Sequence, residues 1–220
     1  MGMHLYLLCE GETDELFYER LAERITGKTF TPDDEFRYRV GANWKTVFSH
    51  AKLLLDRVKQ WSSKQDVAVI IATDNDRAPD HPGGVTSPRP LPAFDLKKQP
   101  RYQALQNLLR DKLGQAVENW PVNVAVAVPV EMIESWLLLL LEPDLTELPQ
   151  FPEANAAAAR AYYGGTPPQQ LKDIRDAIRQ QRGVSLDTLF WEAADQGDLD
   201  HLAARSKSFA MFEAELRTWK

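Results

Sequence analysis

The stretch Val67 to Ala72 (VAVIIA) is six apolar residues in a row, mostly β-branched. A strand with one face in water alternates polar and apolar side chains. This one has no polar residue to offer solvent, so it must be covered on both faces. A parallel sheet between two layers of helices meets that requirement.

The rest of the chain supplies such layers. His4 to Cys9 and Val122 to Val128 are further short apolar runs that read as buried strands, and Phe36 to Val40 (FRYRV) alternates as a half-exposed strand does. Helical spacing fills the intervals. Phe17, Leu21 and Ile25 recur every four residues, with Leu16 widening the stripe. Thr13 is the expected N-cap, Asp14 and Glu15 suit the positive first turn, and Gly27 is the expected stop. Trp44, Val47, Phe48, Ala51, Leu54, Leu55, Val58 and Trp61 mark a second helix. A third is expected over Arg101 to Val117, with Tyr102, Leu105, Leu108, Leu109 and Leu113 facing inward. Val130 to Leu141 reads as a helix apolar on most sides and therefore buried. Ala78 to Pro100, rich in proline and holding Gly83-Gly84, reads as a long loop.

This alternation predicts an α/β fold, Rossmann-like, with a mostly parallel four-stranded sheet flanked by helices and right-handed crossovers. After Glu142-Pro143 the strands stop. Glu153 to Tyr163, Pro168 to Gln181, Leu186 to Ala194 and Phe209 to Trp219 read as helices. The expected division is an α/β domain over residues 1–142 and a C-terminal helical cap or subdomain over 143–220.

At 220 residues and 44% hydrophobic, the chain can bury one full core. The lone cysteine, Cys9, excludes an internal disulfide. No signal segment is visible at the N-terminus, and the longest apolar run, Met132 to Leu141, is too short to span a bilayer and is broken by Glu134. A soluble cytoplasmic protein is expected. The net charge of −6 argues against coating nucleic acid by bulk attraction. It leaves room for an enzyme on nucleic acid, because carboxylates that bind a cation are counted in that charge.

In parallel sheets, ligands sit beyond the carboxyl ends of the strands. Glu10 follows the first strand, Asp74 and Asp76 follow Val67 to Ala72, and Glu131 and Glu134 follow Val122 to Val128. Asp74 and Asp76, two apart around Asn75, can both approach one side of a strand tip. Glu131 and Glu134, three apart, share a helical face. Oxygen ligands of this kind suit Mg²⁺ or Mn²⁺. Structural explanations compete at each position: an Asp-x-Asp often makes a turn, and Asp14, Glu131 and Glu134 suit the first turn of a helix. Glu12 and Glu15 read as solvated. The histidines show no ligand spacing, and neither a nucleophile elbow nor a phosphate-binding glycine loop is present.

"LLCEGETDELFYERL" followed by "VAVIIATDNDR" resembles the TOPRIM domain, which carries a Glu-Gly motif after its first strand and an Asp-x-Asp motif after a later one. "VPVEMIESWLLLL" and "LAARSKSFAMFEAEL" look like the small stand-alone TOPRIM-like proteins related to OLD-type nucleases, several of which belong to phage-defence or mobile-element operons. The resemblance runs over residues 3–141, with a weaker match at Arg205 to Leu216. It implies that Glu10, Asp74 and Asp76 are catalytic and hold Mg²⁺ or Mn²⁺, with Asp14, Glu131 and Glu134 supporting the metal. Cys9 stands where the family usually has Val or Ile. The tyrosine domain of topoisomerases and the zinc domain of primases have no counterpart in the chain, so neither function carries over.

Arg77, Lys97, Lys98 and Arg101 lie just after the Asp-x-Asp or in its loop and are candidates to meet a nucleic-acid backbone, as are Lys207 and Arg205 nearer the C-terminus. Lys172, Arg175, Arg179 and Arg182 form a basic stripe expected at the surface. The expected function is a divalent-metal-dependent phosphodiesterase, a nuclease on DNA or RNA in a phage-defence or mobile-element system. The alternative is a non-catalytic TOPRIM-like module that binds nucleic acid or a partner ATPase encoded nearby. A third reading applies the same acids to small phosphate esters.

Overall fold

A computed structural model of the chain describes residues 3–32, 43–58, 67–74, 101–129, 132–141 and 167–219. The run at its centre forms a strand buried at every position, β3 (Val67–Ala72). Beside it lie β1 (Met3–Leu8), β2 (Phe30–Pro32) and β4 (Asn123–Ala127). All pairings are parallel and the order is β2-β1-β3-β4. The α/β, Rossmann-like fold expected from the alternation is thus present. Its second strand is Phe30–Pro32; Phe36 to Val40 lies outside the described residues, as do Trp61, the loop over Ala78 to Pro100 and the expected helix Glu153 to Tyr163.

From β1 the chain steps one way to β2, then returns across β1 to β3 and on to β4. Right-handed crossovers therefore place helices on opposite faces. α1 (Glu12–Thr26) packs on the face made by Leu5, Leu7, Ala68 and Ile70, while α2 (Trp44–Val58) and α3 (Arg101–Leu113) pack on Leu8, Val69, Ile71 and Val126. α3 stops at Gly114, whose φ of +102° an L side chain rarely adopts, short of the expected end at Val117, and a short 3₁₀ helix follows over Val117–Asn119. Two details of α1 differ from expectation. Gly11 is its N-cap, and Thr13 sits inside the helix with its hydroxyl donating to Asp187 at 2.8 Å. Leu16 is 41% exposed, outside the buried stripe of Phe17, Leu21 and Ala22.

α4 (Glu134–Leu141) is buried over most of its length, as its composition required. It is covered by the C-terminal helices α5 (Pro167–Arg182), α6 (Leu186–Gln196), α7 (Leu199–Arg205) and α8 (Lys207–Leu216), of which α7 was not anticipated. Trp136 stacks on Phe212 at 5.6 Å and meets Phe209 and Tyr18 edge-on, while its indole N–H donates to Ser208 Oγ at 2.8 Å. These helices share one continuous core with the sheet. Where α6 ends, Gly197 lies so close to α4 that a Cβ would sit 2.5 Å from the Ala193 carbonyl oxygen and 2.6 Å from Leu140 Cδ2.

α8 also closes the open side of β4. Glu215 Oε2 accepts the Val126 backbone N–H at 2.6 Å, and the Trp219 indole donates to the Val124 carbonyl at 3.4 Å. An edge strand with free backbone groups invites pairing with another chain, and these side chains remove that invitation. Tyr102 and Gln106 hold the other oxygen of Glu215, each at 2.7 Å.

Candidate functional site

Because the sheet is wholly parallel, the ends of β1, β3 and β4 lie on one edge. The chain leaves β1 towards one side of the sheet and β3 towards the other, so the crevice between these strands is a topological switch point, where α/β sheets characteristically bind ligands. Glu10 and Asp74 flank it.

The two tips are joined. Glu10 Oε1 accepts the backbone N–H of Asp74 at 3.1 Å and also the Thr73 hydroxyl. Asp74 Oδ1 in turn accepts the backbone N–H of Ile133, at the start of α4, at 2.9 Å. Glu134, one residue on, is 3% exposed. Its Oε1 lies 2.5 Å from Arg175 Nη1 of α5, and its Oε2 is buried without a hydrogen-bond partner among the described residues. Asp14 completes the group: its carboxyl turns back from the first turn of α1 over Gly11.

The electrostatics show that these acids sense one another. Asp14 and Asp74 are half-buried as residues, yet their carboxyls are enclosed. Burial, then the charges of Glu134 and Glu10, push the Asp14 carboxyl up to about 7. Burial, with Asp14, Glu10 and Glu134, holds Asp74 well above the usual carboxylate range. Tyr18, one helical turn beyond Asp14, is pushed up first by burial and then by Asp14, Asp74, Cys9 and Glu10. The Cys9 thiol is raised by burial and by Asp14 and Glu15, and it donates to the Gly11 carbonyl at 3.2 Å, so it is a protonated core thiol rather than a nucleophile.

The group is several carboxylates crowded out of water, with one bare buried oxygen on Glu134. Burying like charges together favours either protons or a cation among them. Among the described residues no three acids are placed to share one ion. Mutual repulsion acts over longer distances than a metal–oxygen bond of about 2.0–2.6 Å, so the acids are gathered without forming a closed ligand shell.

Of the residues singled out from the sequence, Glu10, Asp14, Asp74 and Glu134 come together. Asp76, Glu131, Arg77, Lys97 and Lys98 lie outside the described residues. Lys207 is exposed at the first position of α8, and Arg205 is exposed as well. Arg101 donates to the Asp74 carbonyl oxygen and lies over the Trp44 ring at 5.5 Å, so it braces the strand tip. Within the basic stripe of α5, Lys172 and Arg182 are exposed as expected, but Arg175 is not a surface residue; it turns inward onto Glu134. Thr73 and Tyr18 carried no sequence signal beyond their neighbours: a threonine before an Asp-x-Asp and an aromatic on a helix stripe both read as ordinary structure. A cavity of about 240 Å³ lies at the outer edge of β4 beside Glu215 and Trp120, and none of the four acids lines it. No helix among the described residues is long and apolar enough to cross a membrane.

Comparison with protein-family models, curated proteins and solved structures finds no match for the chain.

Proposed function

We propose that the protein is a Mg²⁺- or Mn²⁺-dependent phosphodiesterase, a nuclease acting on DNA or RNA, whose metal would be held by Glu10 and Asp74 together with Asp76, which lies outside the described residues, with Asp14, Glu131 and Glu134 in support. The observation that carries this reading is the gathering of Glu10, Asp14, Asp74 and Glu134 near the switch point, where their charges act on one another and Glu10 ties β1 to β3. A bound divalent ion would supply charge stabilisation at the phosphoryl oxygens and acidify a water. Asp14, with its carboxyl near 7, exchanges a proton readily at neutral pH and is suited to general acid–base work. Asp74 is fixed by the Ile133 amide, and Arg101 grips its carbonyl, so the strand tip is rigid before substrate arrives. A role in phage defence or in a mobile element, alongside a partner ATPase, belongs to the same proposal and rests on the TOPRIM-like motifs.

The second reading is a non-catalytic module. It is favoured by the fact that Glu10 and Asp74 each already accept hydrogen bonds from protein donors. A cleavage assay with Mn²⁺ on single-stranded DNA, duplex DNA and RNA separates the two. Catalysis is expected in the wild type, falling roughly 100-fold or more in Asp74→Ala and Glu10→Ala. Cleavage undiminished in both variants, or none in any protein, contradicts the nuclease reading.

A further inference from the structure

We infer that the first half of α2, with Arg101 of α3, is a contact surface for single-stranded nucleic acid: Lys45, Lys52 and Arg101 meet phosphates and the Trp44 indole meets a base. The inference rests on the nucleic-acid part of the proposed function and needs no bound ion.

These residues form a ridge. Trp44, Phe48 and Lys52 recur every four residues and so lie along one side of the helix. Arg101 Cζ sits 5.5 Å from the centroid of the Trp44 ring, Trp44 meets Phe48 edge-on at 5.8 Å, and Lys52 Nζ lies 5.0 Å from the Phe48 centroid. Two rings are thus flanked by two cations. Lys45 and Lys52, two helical turns apart, fall on one line, and both are exposed. Phe48 is buried and forms the floor, while Trp44 and Arg101 are half-buried, so part of each faces solvent. Rings interleaved with cations suit a single strand, whose unstacked bases can lie on a ring while its phosphates meet the charges; a duplex keeps its bases inside.

Charge and position favour the same occupant. The chain carries a net charge of −6, yet α2 has no acid before Asp56 and α3 none before Asp111. Asp56 itself is taken by Lys112, at 2.7 and 2.6 Å. α1, on the other face of the sheet, is the reverse, with Glu12, Asp14, Glu15, Glu19 and Glu23 against two arginines. A polyanion is therefore directed to the α2–α3 face. The ridge also begins at the switch point: the Arg101 guanidinium that rests on Trp44 donates to the Asp74 carbonyl oxygen at the tip of β3. Lys52, eight residues past Trp44, lies about 12 Å further along the helix.

Fluorescence anisotropy of a labelled oligothymidine with the full chain in EDTA tests this, with the oligothymidine–oligoadenine duplex alongside. Trp44→Leu removes the ring and should weaken single-strand binding by about 5–100-fold, with Trp44→Phe recovering part of the loss. Lys45→Gln combined with Lys52→Gln should weaken binding too. Unlike Trp44→Leu, the lysine pair should also lower the slope of log affinity against log salt, by about 1.4 for two phosphate contacts. Lys28→Gln, past the end of α1 and at the opposite edge of the sheet, should change affinity by less than about twofold. If Trp44→Leu fails to fold, Trp44→Phe and the exposed lysine pair carry the comparison. The inference is overturned by a wild type that binds no strand, by a folded Trp44→Leu that binds as wild type does, by a lysine pair that keeps the wild-type salt slope, or by equal affinity for the duplex. Ridge-dependent binding without Mn²⁺-dependent cleavage supports this inference and sinks the nuclease reading. Cleavage that Trp44→Leu and the lysine pair leave unaltered sinks this inference alone.

Discussion

The backbone N–H of Asp74 donates to Glu10 Oε1 across 3.1 Å, so the tips of the two central strands are held by a side chain that is also a candidate metal ligand. Structure and chemistry then separate under substitution. Glu10→Gln retains a carbonyl oxygen for the Asp74 and Thr73 donors and should leave the urea midpoint nearly unchanged. Glu10→Ala strands those donors and should cost about 1–3 kcal/mol. Both should abolish Mn²⁺-dependent activity. Equal stability in the two variants would show that the hydrogen bonds between the tips contribute little.

Stability should fall as pH rises towards neutrality in the absence of divalent ions. In the fold the Asp14 carboxyl is raised from 3.8 to about 7. A group whose folded value lies above its unfolded value stabilises fully below the unfolded value and loses that contribution as pH rises through the folded one. The urea midpoint of wild type should therefore drop between about pH 4 and about pH 7, and Asp14→Asn should flatten the drop. Mn²⁺ should offset it, binding more tightly at the upper end of the window because the proton has left. A profile identical in wild type and Asp14→Asn would contradict the enclosed carboxyl.

The edge of β4 gives a third expectation. Glu215 serves three donors, from Val126, Tyr102 and Gln106. Glu215→Ala should cost about 2–3 kcal/mol, the upper end for leaving buried donors unpaired. With the Val126 N–H exposed, it should also associate with concentration, as an uncovered edge does. Chemical unfolding and light scattering check the two effects. A variant as stable and as dispersed as wild type would remove the capping role.

Gly197→Ala tests the junction of α6 with α4. The φ there is −63°, which any residue adopts, so the constraint is space rather than backbone conformation. The Ala193 carbonyl and Leu140 leave no room for a methyl group. A loss of about 1–3 kcal/mol is expected, measured by urea unfolding, and a neutral result would mean that the helices separate at little cost.

Much of this was legible in the sequence because burial writes itself into composition. VAVIIA admitted no solvent face, and β3 is buried throughout. The acids after three apolar runs pointed to one edge because parallel strands align their ends; Glu10, Asp14, Asp74 and Glu134 lie near enough there for their charges to act on one another. Where the sequence misled, two explanations shared one pattern. Thr13 had the chemistry of an N-cap, but Gly11 already ends the extended backbone, and Thr13 instead binds Asp187 on a helix far along the chain. Arg175 looked like the rest of a basic stripe because its partner, Glu134, is distant in sequence. The short β2 was missed because Phe30–Pro32 carries only one buried side chain and ends on a proline, which edge strands alone tolerate.

The most direct measurement is anomalous diffraction from crystals grown with Mn²⁺. A single strong peak bonded to Glu10 and to the Asp74-Asn75-Asp76 segment is the expected result. Crystals that hold Mn²⁺ elsewhere, or none, with these acids hydrogen-bonded only to protein, would contradict a metal-dependent site at the strand tips.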